Sequence, residues 1–275
     1  MPAAPPDIIP DFSPLLAERH VALAVSGGSD STALMHLAAD WTRVNHPRLL
    51  LTVLTVDHGL RAGAAAEAVQ VGQWAAGLGL PHHVLRWDEE PKPVTGIQAR
   101  ARAARYGLMA AWCRARAATA LLTAHTLDDQ AETVLMRLSR TTRPESLAGI
   151  RPAGDWQGLP LLRPLLRLKR QALRDWLSDL GQPWIEDPSN EDARYERVRA
   201  RRALAGMGQA STERLAALAD KSAKAAALLD RSARRWIALW LREHDAGICH
   251  VASADFRDIP EALQERILAI VIERY

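Results

Sequence analysis

Five apolar residues, Val21–Val25, run without a break into Ser26-Gly27-Gly28-Ser29-Asp30-Ser31, and a helical pattern begins at Thr32. A strand that feeds a helix through two glycines and three hydroxyls restricts this chain more than any other stretch does. Gly27 and Gly28 carry no Cβ, so the backbone can approach a ligand closely there. Ser26, Ser29 and Ser31 add hydroxyl donors, and the N–H groups at a helix start favour an anion. The loop reads as a phosphate cradle. It is not a Walker A loop, because no Gly-Lys-Ser/Thr follows at the required spacing. An ordinary strand-to-helix turn is the competing reading.

The pattern then repeats. Leu49–Val56 is a second buried strand, ending at Asp57-His58-Gly59. Ala64–Leu78 is alanine-rich and helical, stopped by Gly79 and Pro81. His82–Trp87 forms a third strand, and Glu89–Gly96 is turn-rich. Ile97–Arg116 is a helix, Thr119–Ala124 a fourth strand and Asp129–Arg140 another helix. This alternation predicts an α/β fold with a doubly wound parallel sheet. Such sheets bind ligands beyond the carboxyl ends of their strands. Three polar clusters fall at those ends: Ser26–Ser31, Asp57–Gly59 and His125–Glu132.

From Thr141 the pattern changes. Leu159–Leu166 is apolar, carries Pro160 and Pro164, and reads as extended. Lys169–Leu180 is an amphipathic helix ended by Gly181, and Trp184–Asn190 is a polar loop. Alanine and leucine recur at helical spacing from Ser211 to His244, and Glu261–Arg274 is helical too. The expected boundary lies near 205–210. It separates a ligand-binding domain, 1–207, from a small all-helical region, 208–275.

Net charge is a mild +3, but Lys92, Lys169, Lys221 and Lys224 are the only lysines, so nearly all positive charge is arginine. Arginine suits bidentate phosphate contacts and base stacking; a GC-rich genome produces the same bias. Cys113 and Cys249 are isolated, which excludes a cysteine-ligated iron–sulfur cluster or a four-cysteine zinc site within one chain. The N-terminus lacks the basic and apolar segments of a signal peptide, and no apolar run reaches membrane-spanning length. A cytoplasmic protein without a membrane partner is expected.

Several side chains suggest chemistry. Asp30 follows the glycines directly, where a carboxylate can hold Mg²⁺ bridging nucleotide phosphates or cap the next helix. Asp57 and His58 can meet a nucleotide or simply close a turn. Asp129 and Glu132 are three apart and share a helix face, so they can bind a metal or a substrate ammonium group. His125 can carry a proton or bind a phosphate near neutral pH. Arg100, Arg102 and Arg105 either turn toward the site or form a solvated face. Arg194, Arg197, Arg199, Arg201 and Arg202, with Trp184 and Tyr195 nearby, suit nucleic-acid backbone contact and stacking. Glu186, Asp187, Glu191, Asp192 and Glu196 offer those arginines ion pairs instead.

Taken together these stretches resemble the PP-loop ATP pyrophosphatase family, whose fold is that of the adenine nucleotide alpha hydrolases and whose SGGxDS signature matches Ser26–Ser31 at every fixed position. Within it the chain is similar to the lysidine-forming, tRNA-modifying branch. The supporting motifs are VDHGLR (Val56–Arg61), GIQARARAARY (Gly96–Tyr106), HTLDDQAET (His125–Thr133), LLRPLL (Leu161–Leu166) and WIEDPSN (Trp184–Asn190). The resemblance implies that ATP adenylates O2 of the first anticodon cytidine of the isoleucine tRNA with a CAU anticodon. Free L-lysine then attacks C2, and AMP leaves. It implies that Ser26, Gly27, Gly28, Ser29, Asp30 and Ser31 hold the triphosphate, with Asp57 beside the nucleotide and Mg²⁺ on Asp30. Asp129 and Glu132 hold the lysine, His125 assists, and Arg102, Arg105, Arg197 and Arg201 meet anionic ATP or tRNA.

The sequence departs from the family pattern in places. A glycine-rich RGSG-type loop is replaced by Arg140-Thr141-Thr142-Arg143-Pro144, a frequent second histidine is Thr126, and an Arg-Asn pair is Arg197-Val198. Many members carry a C-terminal tRNA-binding extension, so residues 208–275 are expected to be that element or a shortened form of it. The nearest rival within the fold is a tRNA thiolation enzyme, which needs cysteines. The rival from another class is a catalytically weakened nucleotide- or tRNA-binding protein. The oligomeric state is left open, a homodimer among the options.

Overall fold

Strand β1 (His20–Ala24) shows why the apolar runs are unbroken rather than alternating. Val21 and Leu23 enter one core layer and Ala22 enters another. Both faces of the strand are covered, as buried parallel strands require. The computed structural model describes residues 5, 8–57, 59, 63–87, 97–141, 143–186, 194–244, 248–250 and 253–274. Besides β1, its main sheet contains β2 (Leu50–Asp57), β3 (His82–Arg86), β4 (Ala120–Leu122), β5 (Ala153–Trp156) and β6 (Leu159–Leu162). Their order is β3-β2-β1-β4-β6-β5. The chain builds outward from β1 in one direction through β2 and β3, then in the other through β4 and β6. The crevice where that direction reverses, at the carboxyl ends of β1 and β4, is where such sheets bind ligands.

The sheet is parallel except at one edge, where β5 runs antiparallel to β6. The sequence reading contained no strand at Ala153–Trp156. Its hairpin turns on two residues, Gln157 (φ 52°) and Gly158 (φ 84°), both left-handed. Two successive positive φ values are what a type I′ turn needs to match the twist of its strands. The Leu159–Leu166 stretch is extended only as far as Leu162.

Helices α1 (Ser29–Asn45), α2 (Ala64–Gly77), α3 (Ile97–Ala115) and α4 (Leu127–Leu138) follow β1 to β4 in turn. α1 starts at Ser29 rather than Thr32, and α4 at Leu127 rather than Asp129, because their first turns are made of the polar residues that read as loop. A short 3-10 turn covers Ser13–Ala17. α6 (Arg170–Asp179) packs beside α1 on the face of Val21 and Leu23, and α3 covers the other face with Tyr106, Met109 and Cys113. Each fully buried leucine in these layers, such as Leu23, Leu34, Leu121 or Leu173, contributes roughly 2 kcal/mol.

α5 (Pro144–Leu147) and α7 (Glu196–Met207) lead to the long α8 (Gln209–Trp240), which starts after Gly208 at φ +79°. α8 lies along α4 and α5, where Ala219 is fully buried. A Cβ on Gly149 would stand 3.0 Å from that of Ala219. Farther along, Ala233 and Trp236 meet Ile267 of α10 (Glu261–Arg274) in a separate small core. The region is helical apart from a two-stranded hairpin, β7 (Arg242–His244) with β8 (Ile248–His250); α9 (Ser253–Arg257) follows it. Trp240 ends the helix expected to reach His244. His58, Leu60, Arg61, the 89–96 turn, Thr142, and 187–193 with Asp187, Glu191 and Asp192 lie outside the described residues.

Candidate active site

The loop after β1 is held in shape by its own side chains. Buried Ser31 donates its hydroxyl to the Gly28 carbonyl at 3.0 Å and accepts the Ser26 N–H at 3.2 Å. Thr32 donates to the Gly27 carbonyl at 3.1 Å. Gly27 sits at φ +88°, and a Cβ there would come within 2.6 Å of Ile185. The Ile185 N–H donates to the Gly27 carbonyl at 2.9 Å. The close approach at Gly27 is therefore to the WIEDPSN segment, not to a ligand. Gly28 is the N-cap of α1, and no side chain caps that end. Its N–H groups, the Gly28 backbone and the exposed Ser26 hydroxyl are what the loop offers an anion.

The same segment braces the loop a second way. Arg174 of α6 donates Nε to the Ser29 hydroxyl at 3.2 Å and NH2 to Glu186 at 3.0 Å. Trp184 Nε1 also donates to Glu186, at 2.8 Å, and the Arg174 guanidinium lies 5.7 Å from the Trp184 ring centre. Sequence alone did not single out Arg174.

α1 and α6 pack side by side, so both helix starts arrive at the crevice. There Arg170 gathers three carboxylates with one guanidinium. Nε donates to Asp30 at 2.9 Å, NH2 to Asp129 at 3.2 Å and NH1 to Glu132 at 3.3 Å. The Arg170 backbone N–H donates to Asp128 at 2.8 Å, which fixes the start of α6 against α4. Arg170 is the principal residue that sequence reasoning missed. Its only signal was its place at the head of an amphipathic helix.

Two of the expected arginines reach the same carboxylates from α7. Arg197 donates to Glu132 at 2.7 Å and to Asp129 at 2.9 Å, and Arg201 donates to Glu132 at 2.8 Å. Glu132 is 1 % exposed. Arg197 and Arg201 are thus ion-paired, but with carboxylates of α4 and not with the neighbouring acids expected to compete for them. The other Asp129 oxygen accepts the Thr126 N–H and hydroxyl at 2.7 and 2.9 Å. Asp129 is thus both a helix cap and a member of the charge cluster. Burial alone would raise its carboxyl, but Arg170, Arg197 and the Thr126 N–H outweigh it and hold the group below the usual carboxylate value. At Asp30 the balance falls the other way. Burial raises that carboxyl despite Arg170.

His125 follows β4 and bonds Thr123 Oγ1 through Nδ1 at 2.9 Å. Burial, opposed by Asp129 and reinforced by Arg163, Arg102 and Arg197, pushes it down to about 3. Burial thus works against the protonated ring that proton carriage near neutrality would need. Asp57 ends β2 and accepts the Gly59 N–H at 2.9 Å, a turn contact. Arg102 and Arg105 stand over the Tyr106 ring.

Gln130, within the same motif as Asp129, is structural. It donates to the Ile150 carbonyl at 2.8 Å and accepts the Ile150 N–H at 2.6 Å. The altered loop after α4 is tied down by Arg140, which pairs with Glu196 of α7 at 2.6 Å, and by Arg143, 3.6 Å from Glu265 of α10.

A magnesium ion fits this donor set in one way. Mg²⁺ is usually held by one or two carboxylates plus substrate phosphates and water. Asp30 supplies one carboxylate beside the loop, with Oδ1 met only by the Ser29 hydroxyl at 3.3 Å. Among the described residues no group of three or more histidine, cysteine, aspartate or glutamate side chains is placed to hold a metal by itself.

The PP-loop domain family matches residues 8–207. A tRNA(Ile)-lysidine synthase of Ruegeria pomeroyi is 43% identical over 265 residues, covering 92% of this chain and 60% of that protein. One of Methylobacterium nodulans is 45% identical over 255 residues, covering 92% of this chain and 74% of that protein. The chain thus spans less than two thirds of the first relative and about three quarters of the second. Among solved structures, the U34-tRNA thiolase NcsA from Methanococcus maripaludis, with its [4Fe-4S] cluster, superposes with a TM-score of 0.63 at 14% identity. It covers 74% of this chain and 72% of its own, and the likeness is one of fold.

Proposed function

The chain belongs to the PP-loop domain family, among the tRNA(Ile)-lysidine synthases, and from that premise we propose that it joins free L-lysine to the first anticodon cytidine of the isoleucine tRNA with a CAU anticodon. The observation that carries this reading is the Arg170 cluster. It draws Asp30, beside the glycine loop, and Asp129 with Glu132 onto one guanidinium. A nucleotide phosphate site and a pair of carboxylates suited to an ammonium group thus lie within one side chain's reach.

In this reading the start of α1 and the Ser26–Gly28 backbone bind the ATP phosphates. Magnesium, when bound at Asp30, supplies charge neutralisation to those phosphates. Cytidine O2 attacks the α-phosphorus, the bond to the β-phosphate oxygen breaks and pyrophosphate leaves. The ring oxygen, a poor leaving group until then, becomes an adenylate. The lysine ε-amine attacks C2, loses a proton and expels AMP. Asp129 and Glu132 orient the amine. Neutral His125 holds a hydrogen bond at the end of β4.

Two facts support ligation over thiolation. Cys113 is buried on α3, where burial pushes its thiol up to about 11, and Cys249 lies in the β7–β8 hairpin. Neither stands at the crevice. The test is incubation with ATP, magnesium, labelled lysine and the CAU transcript. Label should enter RNA with one AMP per lysine. ATP binding without incorporation would replace this reading with that of a non-catalytic binding protein.

A further inference from the structure

A second group of arginines bonds none of the three carboxylates, though Arg105 feels the charge of Arg197, which does. Arg102 and Arg105 of α3 place their guanidinium carbons 4.9 and 5.4 Å from the centre of the Tyr106 ring. Arg163, the residue after β6, donates NH1 to the Arg151 carbonyl at 2.8 Å. Its Nε is buried without a partner. Burial lowers the pKa of both Arg105 and Arg163; Tyr106 opposes this and the Arg102 charge adds to it. Among the described residues no carboxylate pairs with any of the three. Like charges gathered in a half-buried place, with an orphaned donor among them, are costly unless an anion joins them.

Position narrows the anion. In the sheet order β1-β4-β6 this group sits by the end of β6, whereas the glycine loop follows β1. Strands lie roughly 4.8 Å apart, so the two places are separated by about 10 Å. His125, at the end of β4, stands between them and feels the charges of Arg102 and Arg163. Arg102 is exposed, so the group opens to solvent and can meet a chain running across the surface.

We propose that Arg102, Arg105 and Arg163 form a phosphate subsite for the RNA, gripping a phosphodiester beside the nucleotide being modified and separate from the loop that takes the triphosphate. The family resemblance left Arg102 and Arg105 between ATP and tRNA and did not include Arg163. The assignment rests on the RNA reading above.

The test is binding of the CAU transcript to the full chain across a salt series, alongside ATP binding. Each phosphate contact contributes about 0.9 to the slope of log affinity against log salt. Arg163→Gln should lower that slope by about one and weaken RNA binding roughly eightfold at 0.1 M salt, with ATP affinity unchanged. Arg163→Lys should restore the slope, and Arg105→Gln should lower it as Arg163→Gln does. Should Arg163→Gln melt early, the Arg163→Lys and Arg105→Gln pair decides alone. An unchanged slope in a wild-type protein that binds RNA overturns the subsite and leaves the ligase reading standing. Weakened ATP or pyrophosphate binding with an unchanged RNA slope assigns the arginines to the nucleotide and also overturns it. A wild-type protein that does not bind the transcript overturns both.

Discussion

Two sets of three arginines stand near the ends of the same strands and are held in opposite ways. Arg170, Arg197 and Arg201 face Asp30, Asp129 and Glu132, and the charges of the six balance. Arg102 and Arg105 stand over Tyr106, Arg163 feels Tyr106 and the Arg102 charge, and among the described residues no carboxylate pairs with them. The balanced set is built as architecture: every oxygen of Asp129 and Glu132 already accepts a guanidinium or Thr126. The unbalanced set is built to receive. A carboxylate oxygen accepts about two hydrogen bonds, so Asp129, with two on each oxygen, is full. In the proposed reaction the lysine ammonium can reach Asp129 only where an arginine yields its place, and Arg197 and Arg201, each 40 % exposed, are the ones able to move.

The comparison breaks most visibly at Arg170. Removing one member of a buried charge cluster leaves the others unpaired, at a cost of about 3–5 kcal/mol. Arg170→Met should therefore lower the melting temperature by about 10 °C and abolish lysine incorporation. A melting temperature within 1 °C of wild type would mean that the three carboxylates do not depend on it.

The two aspartates on Arg170 divide the balanced set further. Asp129 is held below its ordinary value, so its charged form stabilises the fold. That contribution is complete above the unfolded carboxyl value of about 3.9 and is lost as pH falls through the lower folded one. Asp30 is raised by burial, so its charge opposes folding once pH exceeds the unfolded value. At pH 7 Asp129→Asn should lower the melting temperature by several degrees, whereas Asp30→Asn should leave it level or raise it; both should lose incorporation. Equal destabilisation by the two variants in thermal melts would contradict this division.

A smaller effect is expected at Arg201. Arg201→Ala opens one acceptor on Glu132, so lysine should bind severalfold more tightly to the RNA-free protein, read by equilibrium dialysis with labelled lysine. Weaker binding would instead make Arg201 a direct contact of the amino acid.

How much of this was legible in the sequence depended on what carried the signal. β1, β2 and β4 could be read because both faces of each are covered, which leaves largely apolar runs such as Leu50–Val56, whereas the edge strand β3 was marked by its place between helices and its flanking turn residues. β5 could not, since Ala153-Gly154-Asp155-Trp156 is an edge strand with exposed polar positions, and its one clue was Gln157-Gly158. Asp129 and Glu132 were found by their spacing on one helix turn. Arg170, Arg174 and Arg163 come from elements far along the chain, and the side chains they meet follow from helix packing and strand order, which no local spacing encodes. The Arg197 and Arg201 pairing was visible as an alternative but not decidable, because the carboxylates that claim them lie on α4 rather than among the nearby acids.

The weakest expected effect separates the two sets most sharply, because it changes sign between them. Arg102 is exposed, repels Arg105 and Arg163, and among the described residues has no carboxylate to lose. Arg102→Gln should therefore raise the melting temperature, by about 1 °C at low salt, whereas removing Arg170 from the balanced set lowers it. The gain should disappear in 1 M salt, where the screening length falls to about 3 Å and the repulsion is removed from both proteins. RNA affinity should fall in the same variant, so that stability and binding move in opposite directions. A loss of stability at low salt would mean that Arg102 holds the fold through its stacking on Tyr106 more than it strains it by charge, and the distinction between receiving and architectural arginines would then fail at this residue.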